Sequence, residues 1–292
     1  MGLLAFNPSV AEVLASGSFD NSVNIWNICN GESYSKTHFE DGIFSIDWNS
    51  NGSLLGVTTK EKLIHIVDPR ANKIEMSAKG HESGKVQKVS FLTGDYLMSC
   101  GFSKNNERQI RLYDTRNFGD AIHKVTVDSQ SGIMTPFFDS DTGLIYVPGR
   151  GEANIKFFDF SNGNIKYASE FRGANPQKGI AILPKRFVNY NRCEIARFAK
   201  LTNSNTIENL SFYIPKRNEG YDSSIYPDCL SGEPGLTVEE WVKGDNGDAP
   251  RKNITLIGNA GGIVNQMHFE KKQEVVAVEE AKNKIDDHQV FI

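Results

Sequence analysis

A chain of 292 residues with 32 Lys and Arg against 36 Asp and Glu carries a formal charge of −4, which excludes a general pull toward nucleic acid or an anionic lipid surface. Its four cysteines, Cys29, Cys100, Cys193 and Cys229, make neither a CxxC pair nor a zinc spacing and read as reduced thiols of a cytosolic protein. No run of about 18 apolar residues and no basic, then apolar, leader stands in the sequence, so a soluble cytoplasmic protein is expected.

In chain order, the first signal is an apolar triplet, Met1, Leu4 and Phe6. Residues 12–28 (EVLASGSFDNSVNIWNI) then predict a strand, a tight turn at Ser18-Phe19-Asp20-Asn21 and a second strand ending at Trp26. The triplet returns as Ile43, Ile46 and Trp48, as Val86, Val89 and Phe91, and as Ile133, Pro136 and Phe138. Second strands are predicted at 12–16, 54–59, 96–100 and 144–147, apolar enough to be buried on both faces. Third strands carry Val67, Tyr113 and Phe158 where the first has Trp26. Before each of these four stand an acid at six residues (Asp20, Glu61, Glu107, Glu152), a β-branched residue at three and a polar residue at two (Asn24, His65, Arg111, Lys156). These third strands read as alternating and half-exposed, and polar fourth strands are predicted at 33–39, 73–78, 122–127 and 165–171. Asn30-Gly31, Asn51-Gly52, Thr93-Gly94, Thr142-Gly143 and Asn162-Gly163 supply corners that need φ > 0. Spacings of 41, 46 and 45 residues between the marker positions match the roughly 40–45 residues of a four-stranded propeller blade. The predicted fold class is therefore all-β, a WD-repeat β-propeller.

An acid at one offset in every repeat points to a structural role, capping its turn or bonding a His or Ser of the next strand; Gly80-His81 stands where such a partner belongs. Trp26, Val67, Tyr113 and Phe158 are expected to pack between blades. After Gly179 three further strands are predicted, at 180–183, 194–201 and 207–214, as a fifth blade without the marker offsets. Residues 1–217 are thus assigned to the blades and 218–260 to an extension packed on them. In that extension Thr237 is a fair N-cap with Glu240 three residues on, and Trp241 is the expected anchor. Residues 261–292 read as a charged tail, a frayed helix or disordered, because Val278, Ala281 and Ile285 span under two heptads.

Several stretches are distinctive: Leu183-Pro184-Lys185-Arg186, Asn191-Arg192-Cys193-Glu194-Ile195-Ala196-Arg197-Phe198, Ser211-Phe212-Tyr213-Ile214-Pro215-Lys216-Arg217, Ile225-Tyr226-Pro227-Asp228 and Gly235-Leu236-Thr237-Val238-Glu239-Glu240-Trp241. With Phe137-Phe138-Asp139-Ser140-Asp141-Thr142 and Gly101-Phe102-Ser103, they make a chain that resembles the coronins, actin-associated WD-repeat proteins, from Met1 to about Ile257. The resemblance implies a seven-bladed propeller that binds filamentous actin and regulates filament turnover beside other actin regulators in the cytoplasmic actin cytoskeleton. It also implies a variable linker and a C-terminal coiled coil. Five blades are legible here. Two blades and a basic N-terminal segment are therefore expected to lie outside this sequence. The first and fifth blades should each leave an apolar face uncovered, and the fifth should lack its fourth strand. A second copy of the chain or an upstream segment would cover those ends.

Actin filaments are acidic, so basic side chains are the natural complement. Lys185, Arg186, Arg192, Arg197, Lys200, Lys216 and Arg217 crowd into the fifth blade and its exit and are the candidate partner-binding residues; solvated edge charges that discourage aggregation are the plainer reading. No catalytic, cofactor-binding or metal-ligating pattern is present: GxSxG, HExxH, phosphate-loop and dinucleotide motifs are absent, and the six histidines are scattered. No enzymatic activity and no cofactor are expected. The alternative is a generic WD-repeat interaction scaffold with no actin role.

Overall fold

Each predicted repeat is a four-stranded antiparallel sheet in the computed structural model, which describes residues 2–215, 220–257 and, as backbone, 287–291. Blade 1 is β1 (Leu3–Phe6), β2 (Val13–Gly17), β3 (Ser22–Asn27) and β4 (Glu32–His38). Blade 2 is β5 (Ile43–Trp48), β6 (Leu55–Thr59), β7 (Leu63–Asp68) and β8 (Lys73–Lys79). Blade 3 is β9 (Lys88–Phe91), β10 (Tyr96–Phe102), β11 (Arg108–Asp114) and β12 (His123–Asp128). Blade 4 is β13 (Phe137–Asp139), β14 (Leu144–Pro148), β15 (Asn154–Ser161) and β16 (Asn164–Arg172). A fifth blade follows with β17 (Gln177–Ile182), β18 (Glu194–Thr202) and β19 (Ile207–Tyr213). The expectation that this blade lacks a fourth strand is corrected: Asp287–Phe291 fills its outer edge, running parallel to β19 with Asn209 opposite Asp287 and Tyr213 opposite Phe291. The glycines expected at corners are left-handed: Gly31, Gly52, Gly94, Gly143 and Gly163 have φ between 68° and 73°. Only a residue without a Cβ takes that conformation cheaply.

The chain forms two compact units. The first holds blades 1 to 4 and Gly232–Pro250; the second holds Gly151–Ala153, the fifth blade with Gly173–Ser231, and the segment after Arg251. The residues expected to form one extension are thus divided between the two units.

In the first unit, blade packing follows the apolar positions of the repeat. Ala15, Val23 and Ile25 of blade 1 join Ile43, Trp48, Leu55 and Val57 of blade 2 in one core, while Ile64 of blade 2 joins Val89, Phe91, Leu97 and Tyr113 of blade 3 in another. The marker positions Val67, Tyr113 and Phe158 are at most 1% exposed, and burying side chains of that size stabilises by roughly 1.5–3 kcal/mol each. Trp26 differs: it stays partly exposed and donates from Nε1 to Ser16 Oγ at 2.8 Å.

In blades 2 and 3 the polar residue two before the marker corrects the expectation of half-exposed third strands, while Asn24 and Lys156 in blades 1 and 4 stay partly exposed as expected. His65 and Arg111 are buried at 5% exposure, and most of their polar groups meet neighbours. His65 Nδ1 meets Ser77 Oγ at 2.7 Å, and Arg111 donates to the Gly80 carbonyl at 2.7 Å and to Glu82 at 2.5 Å. Lys156 pairs with Asp128. Alternation here marks a largely buried polar network whose partners come from neighbouring strands, with Asn24 Oδ1 and Arg111 Nε left without a hydrogen bond.

Three of the four turn acids, Asp20, Glu61 and Glu107, act as expected, on hydroxyls or backbone near the turn. Asp20 accepts from Ser22 N and from Ser22 Oγ at 3.2 and 2.7 Å, and that bond to the Ser22 hydroxyl holds its carboxyl down at about 2. Glu61 accepts from Thr59 Oγ1 at 3.3 Å and Glu107 from Ser103 Oγ at 3.3 Å. His81 goes elsewhere: its Nε2 meets Ser99 Oγ at 2.9 Å, and burial with the nearby Arg111 charge pushes its pKa down to about 3, so the ring is neutral. A Cβ on Gly101 would lie 2.5 Å from that ring, so the glycine makes room for the imidazole.

Between blades 2 and 3 the inner strands are joined by side chains. Val89 N donates to Ser45 Oγ at 3.3 Å and Phe91 N to Asp47 Oδ2 at 2.8 Å. Burial pushes the Asp47 carboxyl up to about 6. A carboxyl raised in the folded state contributes stability below its ordinary pKa and loses it as pH rises through the folded value. Asp47→Asn keeps an acceptor for Phe91 and carries no charge. It should therefore be more stable than the parent at pH 8 by about 1–2 kcal/mol, with the difference vanishing near pH 4, by urea unfolding at both pH values. An Asn variant less stable at pH 8 would contradict this.

Candidate functional site

The basic segment lies in the second unit and is built on two 3-10 turns and one strand pair. Lys185–Phe187 and Tyr190–Arg192 form the turns, and Cys193, at φ 55°, reverses the chain into β18. Val188 beneath them is fully buried in a cluster with Tyr226, Cys229 and Ile254. Around that cluster the chain continues as β20 (Cys229–Leu230), paired antiparallel with β21 (Arg251–Lys252), and then α2 (Ile254–Ile257). Tyr226, from the Ile225-Tyr226-Pro227-Asp228 motif, donates its hydroxyl to the Glu194 carbonyl at 2.8 Å and stacks on Tyr221 with ring centres 6.1 Å apart. The motif thus presses its segment against the start of β18.

The candidate cations divide by burial. Lys200 is 1% exposed and pairs with Glu208, its register partner across β18 and β19, at 3.3 Å. That burial takes it off the surface set proposed from sequence, since a partner cannot reach it without breaking the blade. Arg197 holds Glu194 with two bonds, at 2.7 and 2.6 Å, and Glu194 also accepts from Asn189 N at 2.5 Å. Its guanidinium therefore locks the turn to the strand. Lys185 is half-buried and donates Nζ to the Ile195 carbonyl at 2.5 Å. Arg186 and Arg192 are exposed, each lying over a ring of its own unit: Phe187 at 5.1 Å and Tyr213 at 5.3 Å. Such stacking orders a guanidinium at the surface. Lys216 and Arg217 fall outside the described residues. Among the described residues, no group of three His, Cys, Asp or Glu is placed to hold a metal ion, and no helix is long and apolar enough to cross a membrane.

The Trp241 motif is placed in the first unit. Thr237 caps the helix α1 (Val238–Val242) in a full capping box with Glu240. Trp241 is 1% exposed, donates Nε1 to the Gly52 carbonyl at 2.9 Å and meets Trp48 edge-on with ring centres 6.3 Å apart. Arg70 lies over its ring at 5.9 Å and reaches on to Asn246 Oδ1 at 2.9 Å. Ser9 accepts from Gly235 N at 2.7 Å through its carbonyl and donates its hydroxyl to the Gly247 carbonyl. Sequence reasoning found the anchor but not Arg70 or Ser9, whose roles depend on contacts more than 170 residues away.

Known proteins carry the same pattern. A WD domain, G-beta repeat model matches residues 4–27, and a model for a type of WD40 repeat matches residues 207–249. Human coronin-2A is 39% identical over 259 residues, covering 85% of this chain and 49% of that protein. The coronin-like protein crn1 of Schizosaccharomyces pombe is 36% identical over 266 residues, covering 90% of this chain and 44% of the relative. This chain therefore spans about half the length of these relatives. The crystal structure of the WD40 domain from Toxoplasma gondii coronin superposes with a TM-score of 0.83 at 33% identity, covering 86% of this chain and 66% of that one. The blade repeat, the Tyr226 and Trp241 motifs and these relatives lead to one conclusion: the chain belongs to the coronin family.

Proposed function

We propose that this protein is a non-enzymatic, cytoplasmic partner of actin filaments that takes part in organising the actin cytoskeleton and its turnover. Family membership supports the class of function, and the observation that supports a site is the exposure of Arg186 and Arg192 beside the motifs that distinguish the family. An acidic filament surface is complementary to those guanidiniums, and Lys185 adds to the field. Arg197 and Lys200 contribute by holding the blade together. Reversing both exposed charges, Arg186→Glu with Arg192→Glu, should weaken co-sedimentation with filaments roughly five- to tenfold at low salt, and added salt should weaken the parent likewise. Unchanged pelleting of the double variant at low salt would make these residues solvated edge charges.

A further inference from the structure

A cleft in the first unit carries the opposite charge to the arginines of the basic segment. It opens between the start of blade 1 and the strap that leads into α1, and it encloses about 450 Å³. That lies within the range of small-ligand pockets, roughly 300–1,000 Å³. Three carboxylates line it, from Glu12, Glu239 and Glu240, and among the described residues no Lys or Arg does. Glu240 is fixed as an anion: Thr237 N and Thr237 Oγ1 both donate to its Oε2 at 2.9 Å and hold the carboxyl below its ordinary pKa. The wall beside the acids is apolar, with Ala11, Leu236 and Val238. Leu236 and Val238 are half-buried, packed against the core of blades 1 and 2.

Both sides of the cleft are pinned. On the blade side, Ile28 N donates to the Glu12 carbonyl at 2.9 Å and holds Glu12 at φ 67°, a conformation unfavourable for a residue with a Cβ. On the strap side, Gly235 N donates to the Ser9 carbonyl at 2.7 Å and Trp241 is buried. A preformed cleft spares its ligand much of the cost of ordering. Acids scattered on an open strand face would be solvated and inert. These stand around an apolar wall, which suits Lys and Arg: their methylene stems lie on apolar surface while the charged heads reach carboxylates.

We propose that this cleft is a docking site for an extended basic peptide of a partner protein, one that sets apolar side chains beside Lys or Arg. The test measures the fluorescence anisotropy of a labelled peptide of alternating Leu and Arg against the full chain. The expected result is saturable binding at low salt with a Kd on the order of 10–100 µM, weakening as salt is added. Glu12→Gln with Glu239→Gln should weaken binding roughly tenfold with an unchanged cooperative melt. Cys29 lines the cleft and is the exposed one of the four cysteines, so a bulky maleimide on the folded parent fills the site without a substitution. That block should also weaken the peptide roughly tenfold, while Cys29→Ser binds like the parent. Replacing every Leu of the peptide by Ser should cost about fivefold. The proposal fails if the peptide does not bind at low salt. It fails equally if the maleimide-blocked chain or the Gln pair binds as tightly as the parent, because the peptide then sits elsewhere on an acidic chain. Equal binding of the Ser peptide would also overturn it, since the site would then read charge alone.

Discussion

Asp128→Ala should destabilise the protein by about 3–5 kcal/mol, the cost of leaving a buried charge without its partner. Arg108 is 2% exposed. Its Nε and Nη2 bind the two Asp128 oxygens at 2.6 and 2.5 Å, and Lys156 of blade 4 pairs with the same carboxylate. One carboxylate therefore neutralises two cations at the junction of blades 3 and 4, and its removal takes that counter-charge from both. Burial raises the Asp128 pKa, but the bonds from Arg108 and Lys156 outweigh it and hold the carboxyl well below the usual range. A depressed carboxyl contributes stability above its unfolded pKa of about 3.9 and loses it as pH falls from there toward the folded value. Urea unfolding should thus show parent and Asp128→Asn far apart at pH 7 and converging as pH falls below about 4. A difference under about 1 kcal/mol at pH 7 would mean that water reaches Arg108 and solvates it.

Trp241→Ala should cost a similar amount, about 3–5 kcal/mol, because a fully buried indole leaves a cavity that capped and hydrogen-bonded surroundings cannot close. The Gly52 carbonyl keeps a second donor, Asn7 Nδ2 at 2.9 Å, so the loss is mainly one of packing against Trp48, Tyr34 and Arg70. Trp241→Phe, which retains most of the ring area and loses only the N–H, should cost about 1 kcal/mol from that bond, plus a smaller packing loss. Limited proteolysis separates local from global effects: in the Ala variant, cleavage within Gly232–Pro250 should precede cleavage of blades 1 to 4. A Trp241→Ala variant as stable and as protease-resistant as the parent would remove Trp241 as the anchor.

What could be read from the sequence followed from repetition. Four copies of the marker offsets placed blades 1 to 4 within a residue or two, because an apolar strand buried on both faces and a glycine forced to φ > 0 leave local signals. The capping box at Thr237 and the anchor at Trp241 were legible for the same reason. Cross-strand register was not. Lys200 looked like a surface cation, and only the pairing that sets it opposite Glu208 turns it into half of a buried pair. Arg197 likewise reads as basic surface until the left-handed Cys193 brings Glu194 and Asn189 together. His65 and Arg111 read as solvent-facing because alternation in a strand does not distinguish water from a buried polar partner. The outer strand of the fifth blade was the least legible element, since nothing local to residues 287–291 names a partner so far back in the chain.

The most direct test of the account is co-sedimentation of the unsubstituted chain with actin filaments over a salt series. The account predicts saturable pelleting at low salt that weakens steadily as ionic strength shortens the screening length from about 30 Å at 0.01 M to about 10 Å at 0.1 M. Pelleting no greater than in the filament-free control at the lowest salt, by a chain shown to be folded by a cooperative melt, would contradict it.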